Sequence, residues 1–161
     1  MVESSVYLDT SSIVKRYVGE RGSLAADHIY AKAEAREHPI VMSLWNIGEV
    51  LGVFDRYFSR ELITEDALRQ SIQHFLAESQ KMIRLGSMQI LPLSAKILVE
   101  AYIHVLKHHI YQADALQIVT AKAAGCELFI SADSHLLKIV RDEGLAALNI
   151  ERQEDDVRRH L

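Results

Sequence analysis

Four acidic residues stand where an α/β chain could gather side chains from distant segments. Asp9 and Asp133 each follow a short apolar run, Glu49 lies inside a helical segment and Asp114 begins another. Crowded carboxylates repel one another at low dielectric, so such a group either takes up protons or binds cations. Hard oxygen donors favour Mg²⁺ or Mn²⁺. This chemistry requires the four segments to converge, which depends on the elements that carry them.

The punctuation of the chain is regular. Ser5 to Leu8 reads as a strand, and Asp9, Thr10, Ser11 and Ser12 supply helix-capping residues ahead of a helical segment from Ile13 to Val18. Ser23 to Ala35 reads as a helix and Pro39 to Met42 as a second strand, after which Ser43 caps a helix from Leu44 to Phe58. Thr64 caps a long helix from Glu65 to Arg84, and Met88 to Leu91 gives a third strand closed by Pro92. Ser94 caps a helix running to about His108, and Gln112 to Ala124 forms another that stops at Gly125. Glu127 to Ile130 is a fourth strand, Ser131 to Ser134 lead into a helix to Glu143, and Ala146 to Ile150 is a fifth strand.

Strands separated by helices imply a three-layer α/β/α fold with a central parallel sheet. In open sheets of this kind ligands bind beyond the carboxyl ends of the strands, where strand order reverses, and Asp9 and Asp133 both lie at carboxyl ends. They meet if the first and fourth strands are neighbours. Residues 1–150 are expected to form a single domain, followed by a polar, mobile C-terminal tail over 151–161.

Composition bounds the function without choosing it. The chain has 161 residues, 49% hydrophobic and 25% charged, which suits one globular domain with a sizeable core. No apolar run approaches the roughly 18 residues of a membrane span, and the opening Met1 to Ser5 lacks a basic segment leading into an apolar one, so a cytoplasmic protein is expected. Cys126 is the only cysteine, which excludes an internal disulfide and fits a small buried residue. The formal net charge of -4 argues against a polyanion-binding chain, but the four acids account for all of it, and bound divalent cations would cancel them.

Each acid also has a plain structural account. Asp9 and Asp133 could be helix caps, worth roughly 1 kcal/mol each. Asp114 gains from the dipole at the first turn of its helix. That helix, however, is apolar on nearly every face, so it should be central and buried, where a carboxylate needs a cation or a proton. Glu49 lies roughly 160–200° from the centre of the stripe Leu44, Ile47, Leu51, Phe54 and Phe58, which by itself places it in solvent. Trp45, Val50, Val53 and Tyr57 nevertheless make the same helix apolar well beyond one stripe, as a second buried face or a protein partner would require.

Tyr7-Leu8-Asp9-Thr10-Ser11-Ser12, the segment Ser43 to Leu51 carrying Glu49, Ala113-Asp114-Ala115-Leu116 and Phe129-Ile130-Ser131-Ala132-Asp133 resemble, in order and spacing, the four signatures of PIN-domain nucleases. The likeness runs from Ser5 to about Ile150 and is greatest to the VapC-type toxins of toxin-antitoxin pairs. Ser131 stands where that family more often has Thr, which keeps the hydroxyl, and the segment 65–84 with the late tail makes the chain longer than a minimal member.

The resemblance implies strand order 3-2-1-4-5 and a metal-dependent endoribonuclease. Asp9, Glu49, Asp114 and Asp133 would hold one or two Mg²⁺ or Mn²⁺ ions, which activate water and stabilise the leaving 3′ oxygen. Direct ligation falls first to Asp9 and Asp114, while Glu49 and Asp133 share ligation with orienting the water. The hydroxyls of Thr10, Ser12 and Ser131 would fix the carboxylates. Lys15, Arg16 and Arg21 are candidates for contact with RNA phosphates. A cognate antitoxin is the implied partner, laying an apolar helix in a groove and placing a basic side chain among the acids. The apolar surface from Trp45 to Phe58 suits that role or homodimerisation.

Alternatives are a catalytically silent PIN-fold module that binds RNA or protein, and a PIN nuclease of RNA processing. Phosphatase chemistry at Asp9 is disfavoured because Asp9-Thr10-Ser11 lacks the second nearby acid. His104 and His108, with His109 beside them, have the spacing of a transition-metal pair but lack a third ligand in the sequence pattern, and so are expected to face solvent. Gly19-Glu20-Arg21-Gly22 matches neither the Walker nor the dinucleotide glycine spacing.

Overall fold

The sheet owes its two-sided burial to strict alternation along very short strands. The computed structural model describes residues 4–161, so residues 1–3, where the reading of the chain's opening begins, lie outside the described part. Its strands are β1 (Val6–Leu8), β2 (Ile40–Ser43), β3 (Met88–Leu91), β4 (Leu128–Ser131) and β5 (Ala146–Asn149). They form one sheet in the order β3-β2-β1-β4-β5, every pair parallel, the order that the family resemblance implied. Val6, Leu8, Ile40, Met42, Leu128 and Ile130 point to one face, and Tyr7, Val41, Phe129 and Ala147 to the other. Tyr7 and Phe129 stack across β1 and β4 with ring centroids 4.9 Å apart.

The helices divide between those faces. α1 (Thr10–Val14), α2 (Ser23–Glu34), α3 (Leu44–Ser59), α4 (Glu65–Arg84) and α8 (Glu154–His160) cover the first. α5 (Ala95–His108), α6 (Gln112–Ala123) and α7 (Ser134–Asp142) cover the second. Helix starts follow the caps: Asp9, Ser43, Thr64, Ser94 and Asp133 each accept a backbone N–H from the first turn of the following helix. Because Asp9 caps its helix directly, α1 begins three residues before the expected Ile13 and ends at Val14. α6 is buried continuously from Ala115 to Ala121, as its all-round apolar composition required.

Three expectations need correcting. α3 buries Asn46, Val50 and Phe54, a face rotated by roughly 80° from the stripe of larger apolar residues, whose ends Leu44 and Phe58 are exposed. Residue size misled here, because the buried face centres on Val50 and includes a polar side chain, Asn46. The supposed mobile tail is ordered by its apolar residues: Val157 and Leu161 of α8 are buried in the same cluster as Ala25, Ala26 and Ile29 of α2. His104 and His108 are not solvated either. Their Nε2 atoms lie 3.2 and 2.6 Å from the Glu143 carboxylate, which Lys107 and Lys122 also bind.

The long α4 packs on α3 and anchors a partly buried ion pair. Glu78 accepts two hydrogen bonds from the Arg16 guanidinium, at 2.7 and 3.2 Å, and one from the Tyr17 hydroxyl at 2.9 Å. Gly22 turns the chain into α2 at φ +90°, where a Cβ would stand 2.8 Å from Lys15 Cδ and 3.1 Å from the Ile150 carbonyl.

Val157→Ala removes two buried methyl groups and should cost about 1–3 kcal/mol. Thermal unfolding should show a Tm lower by several degrees, whereas a mobile tail would leave it unchanged.

Candidate active site

Parallel pairing of β1 with β4 brings their carboxyl ends side by side, and the turns that follow them carry Asp9 and Asp133. Both acids, together with Glu49 from α3 and Asp114 from α6, line one cavity of about 440 Å³. Four segments far apart in sequence thus contribute carboxylates to one concave surface.

Asp9 is the most enclosed, with only 4% of its surface exposed. Oδ1 accepts the Ser12 N–H at 3.0 Å and the Ser11 hydroxyl at 2.7 Å, and Oδ2 accepts the Ser131 hydroxyl. The two serines also receive backbone N–H groups, Ser11 from Ala132 and Ser131 from Asp133, so they lace the turn after β1 to the turn after β4. The Ser12 hydroxyl donates to the Ile130 carbonyl, so Ser12 reaches Asp9 through its backbone. Asp133 divides its carboxylate: Oδ1 caps α7 through the His135 and Leu136 N–H groups, and Oδ2 makes no hydrogen bond to another described residue. Capping and a place in the cavity are therefore compatible in both residues.

Glu49 stands about 100° from the centre of the buried face of α3, at its edge and not opposite it. Its Oε1 accepts the Thr10 hydroxyl at 3.1 Å. Thr10 in turn accepts from Asn46 Nδ2 at 2.9 Å, and the same amide donates to Gln117 Oε1 at 2.9 Å. Asn46 Oδ1 accepts the Tyr7 hydroxyl at 3.1 Å and the Ser43 N–H at 2.8 Å. Every donor and lone pair of this buried amide is used, as burial demands. Asp114 makes no side-chain hydrogen bond to another described residue and lies one helical turn before Gln117.

The electrostatics follow from enclosure and crowding. Burial pushes the Asp9 carboxyl above its ordinary range, against the hydrogen bonds from Ser131, Ser11 and Ser12. Glu49 is raised by burial first and further by the charges of Asp9 and Asp114, against the Thr10 bond and the charge of Arg56. Asp114 is raised by burial and then by Asp133 and Asp9. Each of these acids thus gains from a proton or a cation. As they stand, no three His, Cys, Asp or Glu side chains among the described residues are close enough together to hold one metal ion. The all-oxygen donor set still suits a hard divalent cation, since Asp114 and the exposed Asp133 both line the cavity with Asp9 and Glu49.

The basic residues selected from the sequence are engaged elsewhere. Lys15, 4% exposed, lines the cavity wall between Glu151, at 2.5 Å, and Glu20, at 3.3 Å. Arg16 binds Glu78 and Asp27, and Arg21 donates to the Glu151 carbonyl. Sequence reasoning missed Ser11, Asn46, Gln117, Glu151, Arg56 and Arg60. Arg56 and Arg60 had a usable signal, because their spacing of seven and eleven from Glu49 places them on its side of α3. Glu151 had none, since its position is set by the Asn149 amide at the end of β5 and by Lys15.

A family model described as PIN domain matches residues 6–142, a stretch that ends before β5 and α8. No curated protein matches the chain. Among solved structures it is similar to VapC20 of Mycobacterium tuberculosis, a sarcin-ricin loop cleaving toxin, at 15% identity and TM-score 0.60 over 88% of this chain and 96% of that one. It is similar to FitAcB from Neisseria gonorrhoeae at 17% identity and TM-score 0.58, over 91% and 99%. VapBC-1 from nontypeable Haemophilus influenzae gives 15% identity and TM-score 0.55, over 91% and 98%. At such identities the likeness speaks for the fold alone.

Asp114→Asn should stabilise the metal-free protein, because it removes a half-buried charge and its repulsion. Asp114 titrates higher in the folded chain than at its ordinary 3.8, so its contribution is full below that value and is lost as pH rises through the folded one. The variant's advantage in chelator, measured by urea unfolding, should therefore widen from about pH 4 to about pH 7. Mn²⁺ at about 100 times its Kd should stabilise the wild type by about 2.7 kcal/mol and the variant by much less.

Proposed function

The chain belongs to the PIN domain family, and from that premise we propose that it is a metal-dependent endoribonuclease of the cytoplasm, the toxin of a toxin-antitoxin pair. One observation carries the reading: Asp9, Glu49, Asp114 and Asp133 line a single cavity at the carboxyl ends of β1 and β4. The similarity in fold to a sarcin-ricin loop cleaving toxin agrees with it.

Asp9 and Asp114 would be the first ligands of one or two Mg²⁺ or Mn²⁺ ions, which when bound supply Lewis acidity toward the phosphate and lower the pKa of water. Ser11 and Ser131 hold the Asp9 carboxylate in place. Thr10 fixes Glu49 Oε1, which leaves Oε2 to orient the attacking water and accept its proton. Asp133 lines the same cavity with Oδ1 committed to the cap, so Oδ2 is the oxygen it would offer. Water oxygen attacks phosphorus in line, the bond from phosphorus to O3′ breaks and the leaving oxygen takes up a proton. The products are a 5′-phosphate and a 3′-hydroxyl.

Exposed apolar surface supports protein partners, a cognate antitoxin and a second copy of the chain. Leu44, Trp45 and Phe58 are exposed on α3, and Val99, Tyr102, Ile103 and Leu106 form an exposed stripe at i, i+3, i+4 and i+7 on α5.

Purified protein should cleave RNA in Mn²⁺ and stop in chelator. Asp9→Asn keeps an equally good cap but removes the charge, and should lower cleavage more than the 10–100-fold typical of losing an outer hydrogen-bond partner. Thr10→Val should fall within that lower range. An inactive wild type, or an Asp9→Asn variant of equal activity, overturns the reading, and RNA binding without cleavage would identify a silent binding module.

A further inference from the structure

Two arginines, Arg56 on α3 and Arg60 at its C-cap, share the cavity with the four acids. Glu49, Val53, Arg56 and Arg60 all line it, and their spacing of four, three and four residues keeps them within about 60° of one another on the helix. The row therefore runs outward from the acids along one helical face. Arg56 and Arg60 are exposed, and neither forms an ion pair or side-chain hydrogen bond with another described residue. This separates them from the other cavity-wall cation, Lys15, which is neutralised by Glu20 and Glu151.

We propose that Arg56 and Arg60 are substrate-positioning residues that bind the phosphates flanking the one being cut, holding single-stranded RNA along α3. The proposal rests on the nuclease reading of the same cavity and adds the track that substrate follows into it. An acidic cavity in a chain of net charge -4 repels a polyanion, so approach needs local positive charge that is not already spent. Guanidinium groups supply it, because they stay charged and bind phosphate oxygens through two parallel N–H bonds. Four residues of helix separate the two arginines by about 6 Å along the axis, a spacing that neighbouring phosphates of a flexible strand can adopt. Neither residue touches the reacting phosphorus. Their effect is on where the strand lies.

The test uses the full chain and a short single-stranded RNA labelled at one end. Its affinity is measured in Ca²⁺ across a KCl series, and its cleavage in Mn²⁺. Arg56→Gln and Arg60→Gln should each raise Kd and KM several-fold with kcat within about twofold, and each should flatten the slope of log affinity against log salt by about 0.7. Arg56→Lys keeps the charge and should retain the wild-type slope. Arg84→Gln, a change on α4 away from the cavity, should match wild type throughout. Wild type that binds RNA while both glutamine variants keep its affinity and slope overturns the proposal and leaves the nuclease reading standing. Wild type that binds without cleaving, with binding lost in the variants, supports the arginine track and removes the nuclease. A wild type that neither binds nor cleaves removes both.

Discussion

The constraint on which the site depends is the burial of one carboxylate at the junction of two strands. Asp9 sits where β1 ends beside β4, almost without contact with solvent. An ionised group there is costly unless donors surround it, and the serines of both turns supply them. Those hydroxyls do two things at once. They stabilise the charged carboxylate, and by accepting N–H groups from Ala132 and Asp133 they fix the neighbouring turn in register with the first. The position of Asp133 is thereby tied to the solvation of Asp9.

Asn46 performs the equivalent task on the other side of the cavity. One amide joins Tyr7 of β1, Ser43 at the end of β2, Thr10 of α1 and Gln117 of α6. Through Thr10 it sets Glu49, and through Gln117 it holds the helix that carries Asp114. Glu49 and Asp114 therefore refer to one framework without hydrogen-bonding each other. A carboxylate group that gains from protons or cations needs this rigidity, because mutual repulsion would otherwise push the side chains toward solvent.

Much of this order is written locally, and its limits are physical. Caps such as Ser43, Thr64 and Ser94 mark helix starts because a side-chain oxygen satisfies N–H groups that every helix leaves open. The acids at positions 9 and 133 were legible because strand ends and caps are local features. The orientation of α3 was not. Its face is chosen by a buried amide, three of whose four partners come from elsewhere in the chain, so counting apolar residues rotated the helix and set Glu49 in solvent. The last eleven residues failed for the opposite reason. Their composition is polar, and two apolar residues, Val157 and Leu161, suffice to dock a helix once α2 offers a surface. The cluster of His104, His108, Lys107 and Lys122 around Glu143 likewise joins three helices that sequence spacing does not relate.

The docked C-terminus also completes the charge pattern of the cavity. Asn149, at the end of β5, donates to the Ala132 carbonyl and the Ser134 hydroxyl, and accepts the N–H groups of Glu151 and Arg152. That amide binds the chain after β5 to the turn that presents Asp133, and it places the Glu151 carboxylate against Lys15. Lys15 is nearly inaccessible, so its charge has to be met by partners, and it is met twice, by Glu151 and by Glu20. A cation flanked by two anions leaves the wall with a net negative charge, the same sign as the acids it faces. Among the described residues the enclosed part of the cavity therefore has no unspent positive charge, and Arg56 of α3 and Arg60 at its C-cap provide it only at the exposed margin. An interior that favours cations beside a margin that favours anions is the polarity a phosphodiester would require to enter from one side and meet metal at the other.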